Sequence, residues 1–232
     1  MKRILIAQME LFQGIKTETL ERIINRGKIV KIPKRTFLIR AKEPVSNICL
    51  QVSGKSIIYN LTLTGKRKIL FVCGKGALLN YNLMDNFCSA LYCEAIEESE
   101  VFMIPVADFI KCMEMDWKLV QNILFAQEKK VWRLSHQLKN TSGSIQLERK
   151  LAAKLWKLGR DFGIETEEGI EIDINLSITF LADMLGTSRE ATSRVCTTLI
   201  ELGLIKINKK RITIINVDKM SEFYKTGKTN KI

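Results

Sequence analysis

Between Lys28 and Ile104 the apolar residues come in short runs: Ile29-Val30, Phe37-Leu38-Ile39, Ile48-Cys49-Leu50-Gln51-Val52, Ile57-Ile58-Tyr59, Ile69 to Val72, Leu91-Tyr92-Cys93 and Val101 to Ile104. Ser53-Gly54, Thr64-Gly65 and Gly74-Lys75-Gly76 punctuate them as turns do in a sandwich or roll. The pattern predicts an antiparallel β-roll, with a short helix from Leu11-Phe12 to Ile24 packed against it. Further on the period changes. Val120, Leu124, Gln127, Val131, Leu134, Leu138, Thr141 and Ile145 are spaced alternately four and three apart, and six of these eight are apolar. A two-stranded coiled-coil seam has this spacing, so a dimerisation helix is expected; polar Gln127 keeps open a helix packed only on its own domain. Ser142-Gly143-Ser144 interrupts the helix, because glycine is a poor helix former and serine competes for backbone hydrogen bonds, and it reads as a hinge. Helical period resumes from Ile145 to Phe162 and stops at Gly163. The expected class is α+β: a roll over residues 1–115, a dimerisation helix and hinge over 116–143, and a third part over 144–232.

That third part holds the most informative run, from Ile178 to Val195. A helix-turn-helix needs a small residue where its helices cross and a turn residue that accepts positive φ. Ala182 and Gly186 stand four apart and supply both. Leu181, Leu185, Val195 and Leu199 are the expected buried side. Thr187 is the expected N-cap of the second helix, with Glu190 three residues on completing a capping box. Thr187, Ser188, Arg189, Glu190, Ser193, Arg194 and Thr197 then form the outer face. Arginine pairs bidentately with guanine O6 and N7, and glutamate accepts from cytosine N4, so this face has the chemistry to read bases. Two short strands, Leu202 to Ile207 and Arg211 to Ile215, flank a basic turn in which Lys209 and Lys210 are candidates for phosphate contact.

Charge supports this reading without proving it. The chain carries +12 overall: residues 1–75 hold 16 basic against 4 acidic side chains, residues 76–202 hold 13 against 19, and residues 203–232 hold 8 against 2. Basic ends gather polyanions whatever their sequence. No apolar run approaches the roughly eighteen residues of a membrane span, which points to a cytoplasmic protein. The six cysteines, Cys49, Cys73, Cys88, Cys93, Cys112 and Cys196, lack CxxC spacing and fit a reducing compartment. Cys88 and Cys93 form a candidate thiol switch, with buried structural thiols as the alternative. One histidine, His136, and the absence of nucleophile, Walker or dinucleotide motifs argue against an enzyme, a metal site or a bound cofactor. The rival reading is a ligand-binding roll that regulates a partner protein, but such a module has no use for Arg189, Glu190 and Arg194 on one face.

The run Leu185 to Arg194, followed by Leu199 and Leu202-Gly203-Leu204-Ile205, resembles the superfamily of the cyclic-AMP receptor protein and the fumarate–nitrate reductase regulator. The likeness extends from Leu11-Phe12-Gln13-Gly14 through the roll and Ala95 to Val101 to the winged domain. It implies a homodimer, double-stranded DNA as partner, and an effect on RNA polymerase at nearby promoters. It also implies an inverted-repeat operator with TGA in each half-site, because Arg189 and Glu190 match one reader type of the family and Ser193 another. The family's cyclic-nucleotide binders hold ribose with a glutamate and phosphate with an arginine. The corresponding stretches here, Gly74 to Tyr81 and Phe87 to Leu91, contain neither, so cyclic AMP is not the expected ligand. The effector pocket suggested by the likeness comprises Leu79, Asn80, Tyr81, Cys88, Ser89 and Lys130. An organic anion between roll and helix, similar to the ligands of halorespiration regulators, a thiol signal, and no effector at all remain open.

Overall fold

A computed structural model describes residues 2–80, 88–141 and 146–228. The chain divides into two compact units, residues 1–61 with 69–135, and residues 62–68 with 136–232. The hinge Ser142 to Ser144 and the seam position Ile145 lie outside the described residues.

The first unit begins with helices α1 (Lys2–Ala7) and α2 (Thr17–Arg26), joined through a single turn at Glu10–Phe12. The helix anticipated from Leu11 to Ile24 is therefore split, and Gly14, with φ of 72°, turns the chain between the pieces. Strands β1 (Lys28–Ile32), β2 (Phe37–Ile39), β3 (Asn47–Ser53), β4 (Ser56–Leu61), β5 (Arg67–Cys73), β6 (Tyr92–Ala95) and β7 (Ser99–Pro105) follow. They form two antiparallel sheets, ordered β1-β7-β3 and β2-β6-β4-β5.

Period-two alternation sorts the side chains of the first sheet between two cores. From β3, Ile48, Leu50 and Val52 join Phe102 and Ile104 of β7 against Ile23, Phe109, Leu119 and Ile123 of the helices. From the same strands, Cys49 and Val101 point the other way and meet Ile58, Phe71, Cys93 and Ala95 inside the roll. This explains why β3 reads as a continuous apolar run: it is covered on both faces. At the junction of α2 and β1, Gly27 lies against Phe102 so closely that a Cβ there would stand 2.0 Å from the ring.

Helices α3 (Val106–Met115) and α4 (Trp117–Thr141) complete this unit and lead out of it. Asp116 stands between them, 2% exposed. Its carboxylate accepts from the backbone N–H of Lys16 at 2.7 Å and of Lys118 at 3.0 Å, tying the start of α2 to the start of α4. Burial pushes this carboxyl up, but the N–H groups and the Thr19 hydroxyl outweigh it and hold it below its ordinary value.

The second unit packs helices α5 (Leu147–Phe162), α6 (Ile178–Leu185), α7 (Arg189–Glu201) and α8 (Val217–Thr226) with strands β8 (Gly163–Thr166), β9 (Gly169–Ile172), β10 (Ile205–Asn208) and β11 (Arg211–Ile214). These strands form one antiparallel sheet ordered β10-β11-β9-β8. Among the described residues, no helix is long and apolar enough to cross a membrane.

Because Asp116 is stabilised as the anion, it contributes stability above the ordinary carboxylate range and loses it as pH falls through its depressed pKa. Asp116→Asn is expected to lower Tm at pH 7. In thermal melts from pH 7 to pH 3 the gap from wild type should narrow; a gap independent of pH would refute the charge-based role.

Candidate nucleic-acid interface

Helix α6 starts at Ser177, whose hydroxyl accepts from the N–H of Phe180 at 3.1 Å, and ends at Gly186 in the left-handed region with φ of 73°. The N–H groups of Gly186 and Thr187 both return to the Ala182 carbonyl, at 2.7 and 3.2 Å. The turn thus satisfies the helix end and sends the chain directly into α7.

The N-cap of α7 is Ser188, and not Thr187 as the sequence suggested. The Ser188 hydroxyl accepts from the N–H of Ala191 at 3.1 Å, and its carbonyl accepts from the Thr192 hydroxyl at 2.8 Å. The one-residue shift follows from where the helix begins: Ser188 is extended, and its carbonyl accepts the Thr192 N–H at 3.0 Å as the first bond of α7. Glu190 therefore sits one place too early for a capping box. Its carboxylate folds onto its own N–H and the Ser188 hydroxyl, which with Arg189 and Arg194 hold it below the ordinary carboxylate range.

Along α7, Thr192, Val195, Cys196 and Leu199 are buried, while Arg189, Glu190, Ser193, Arg194 and Thr197 are exposed. Their spacing places the exposed group on one helix face. Thr197 spends its hydroxyl on the Ser193 carbonyl at 3.2 Å, which limits it as a donor to anything outside. Strands β10 and β11 pair from Ile205↔Ile214 to Asn208↔Arg211, leaving Lys209 and Lys210 as an exposed two-residue turn. Arg211 itself bonds Asp173 at 2.6 Å, so it braces the wing against the segment after β9.

The hairpin of β8 and β9 was missed by sequence reasoning. The alternation Gly163-Ile164-Glu165-Thr166 and Gly169-Ile170-Glu171-Ile172 around Glu167-Glu168 was its signal, masked by charged residues on exposed strands. It completes the sheet behind the wing through β9 and β11.

The pocket residues suggested for the roll are only partly brought together. Lys130 donates to the Asn80 carbonyl at 2.6 Å. Asn80 is fully buried; its side chain accepts from the Cys49 N–H at 2.6 Å and donates to the Asn47 carbonyl at 2.9 Å. Leu79 belongs to the roll core. Ser89 directs its hydroxyl to the Leu91 carbonyl at 2.7 Å, and Cys88 is exposed beside Pro44. Tyr81 lies outside the described residues. Around Lys130 the structure adds groups that the sequence did not single out: the Cys73 and Cys93 thiols, and Arg133 over the Phe71 ring at 5.0 Å. Burial lowers the Lys130 ammonium to about 8.

Burial also disposes of the proposed switch between Cys88 and Cys93. Cys93 is sealed at 1% exposure, with its thiol pushed well above its ordinary value by desolvation, whereas Cys88 faces outward. Reactivity belongs to the thiolate, and Cys93 does not form one readily.

Residues 149–223 match the Crp-like helix-turn-helix domain family, and residues 29–116 match the cyclic nucleotide-binding domain family. The chain belongs to the Crp/Fnr superfamily. An anaerobic regulatory protein of Pasteurella multocida is 26% identical over 92% of this chain and 77% of its own. A global nitrogen regulator of Synechococcus elongatus is 28% identical over 85% of this chain and 86% of its own. The solved structure of FixK2 from Bradyrhizobium japonicum superposes with a TM-score of 0.73 at 17% identity, over 84% of this chain and 96% of that one, which bears on the fold. The protein is thus a DNA-binding transcription regulator.

The corrected cap makes a direct prediction. Ser188→Ala should cost about 1 kcal/mol in the stability of the second unit, while Thr187→Ala should cost markedly less. Chemical denaturation of the two variants in parallel tests the order; a larger loss at Thr187 would restore the capping box.

Proposed function

We propose that the protein acts as a homodimer that places its two α7 helices in successive major grooves of an inverted-repeat operator and thereby regulates RNA polymerase at nearby promoters. The observation that carries this reading is the exposed α7 face, on which Arg189, Glu190, Ser193 and Arg194 stand together with Glu190 held as the anion. A carboxylate facing a polyanion is unfavourable unless it meets a donor, and cytosine N4 is such a donor. Lys209 and Lys210 reach phosphate beside the groove. The half-site contains TGA, and half-site centres lie about 34 Å apart. Residues 1–115 serve as the sensory part, 116–143 as the dimer helix and hinge, and 144–232 as the DNA-binding part.

The dimer rests on α4. Trp117, Leu124, Val131 and Leu138 recur every seven residues and are 66%, 52%, 62% and 68% exposed. A seven-residue apolar repeat left in water is the seam of a helix pair. Leu124, Val131 and Leu138 belong to the seam expected from the sequence; Leu134 does not serve it, because it leans onto the protein's own roll core. Val131→Lys with Leu138→Lys is expected to give a monomer in sedimentation with Tm of the first unit unchanged. A wild type already monomeric at micromolar concentration would remove the dimer.

The roll senses a signal other than cyclic AMP. Asn80 and Ser89 stand near the positions of the missing glutamate and arginine, and both spend their side chains on the protein's own backbone. Lys130 and Arg133 favour an organic anion.

Selection of operators from a random duplex pool, with and without cyclic AMP, tests the whole reading. Two-fold repeats with TGA, indifferent to cyclic AMP, are expected. Arg194→Ala and Glu190→Ala should each cost about 1–3 kcal/mol on the selected site and little on random DNA, whereas Lys209→Gln should weaken both alike. Selected sites without symmetry, or unchanged base preference in Glu190→Ala, would overturn it.

A further inference from the structure

Glu128 stands in the middle of the exposed side of α4. The nearest surface neighbours of a helical residue lie three and four positions away. For Glu128 these are Leu124, Phe125, Val131 and Trp132, which are 52%, 51%, 62% and 63% exposed. A carboxylate is thus ringed by four large apolar side chains. The cations nearest to it along the helix are directed elsewhere: Lys129 bonds Glu10 and lies over the Phe125 ring at 4.3 Å, Lys130 donates to the Asn80 carbonyl at 2.6 Å, and Arg133 lies over the Phe71 ring at 5.0 Å. Among the described residues, Glu128 has no ion-pair or hydrogen-bond partner.

On the homodimer reading of α4, the occupant of this face is a second copy of the chain. Since α4 leads from the first unit into the second and both α7 helices meet one operator, the paired helices run parallel. The residue at the centre of the contact face then meets its twin across the two-fold axis. On the same line of the helix, Gln121 and Ser135 stand one heptad to either side of Glu128. Glutamine and serine carry donors as well as acceptors and can bond to their twins, whereas two carboxylates only accept. Dimerisation therefore covers two like charges with an apolar ring and neutralises neither. The apolar side chains drive association and the acid opposes it, as a polar residue on a coiled-coil seam does at a cost in stability. A seam made only for strength would carry leucine at 128.

We propose that the Glu128 pair keeps self-association weak enough for free chains to separate at nanomolar concentration, so that occupancy of a two-fold operator rises with the square of the chain's own concentration. The proposal rests on the homodimer reading and makes abundance itself the signal. Sedimentation of full-length wild type, Glu128→Gln and Glu128→Lys over a dilution series is the test. All three should fold alike by circular dichroism, because Glu128 is exposed. Wild type should be dimeric at micromolar concentration and dissociate on dilution into the nanomolar range, and Glu128→Gln should dimerise at least about tenfold more tightly. Added salt, which screens like charges, should tighten wild type more than Glu128→Gln. A tagged Glu128→Lys chain mixed with wild type should form the mixed dimer in preference to either homodimer. On the selected operator, occupancy in the nanomolar range should be second order in wild type and first order in Glu128→Gln. Equal dimer strength in wild type and Glu128→Gln, with no preference for the mixed dimer, would overturn the proposal and leave the dimer standing. First-order occupancy by wild type would overturn it as well. Monomers throughout in all three chains would remove the homodimer reading and this proposal with it.

Discussion

One helix has to satisfy two hydrophobic obligations, and the architecture follows from how α4 divides them. Its first turns give Leu119 and Ile123 to the core beneath the first sheet, and Leu134 leans onto the interior of the roll. Across the helix, Trp117, Leu124, Val131 and Leu138 stay in water. At 1.5 Å per residue its 25 residues span about 37 Å, far enough to serve the roll along one stripe and still extend beyond it. A helix committed wholly to its own domain would bury both stripes; one committed wholly to a partner would leave the roll open. Asp116 fixes where this division starts, since the same carboxylate caps α4 and catches the first turn of α2.

Chemistry in the second unit obeys a similar economy. Most polar side chains near the turn and wing already have work inside the protein: Ser188 and Thr192 at the helix start, Thr197 along the helix, Arg211 on Asp173. What remains outward on α7 is a short set of charged groups plus Ser193, and on the wing two lysines. The Glu190 N–H and the Ser188 hydroxyl, with Arg189 and Arg194, favour Glu190 as the anion before any ligand arrives.

Much of this was legible in the chain because it rests on local rules. Strand positions followed from short apolar runs between glycine turns, and the helix-turn-helix followed from Ala182, Gly186 and the buried leucines. Where the reading slipped, the cause lay in interactions that local patterns do not encode. Thr187 and Ser188 are both good caps by residue type, and what decides between them is that the first helical bond runs from the Thr192 N–H to the Ser188 carbonyl. The α4 seam was read one way because Leu134 fits a heptad as well as it fits the roll. The β8–β9 hairpin escaped because exposed strands in a small sheet carry glutamate where a core strand would carry valine. Asn80 and Lys130 were chosen as neighbours from a family likeness; that Asn80 turns its side chain onto β3, and that Cys73, Cys93 and Arg133 gather around Lys130, needed the fold.

The distribution of thiols gives the molecule an internal gauge of its own integrity. Five of the six cysteines are buried and Cys88 alone is exposed; desolvation carries Cys49 to about 12 and Cys73 and Cys196 to about 11. Alkylation requires a thiolate that the reagent can reach. The intact fold therefore offers one fast-reacting sulfur. Opening the roll uncovers Cys49, Cys73 and Cys93, whereas opening the second unit uncovers Cys196, so the mass added by an alkylating pulse records which half of the chain has come apart.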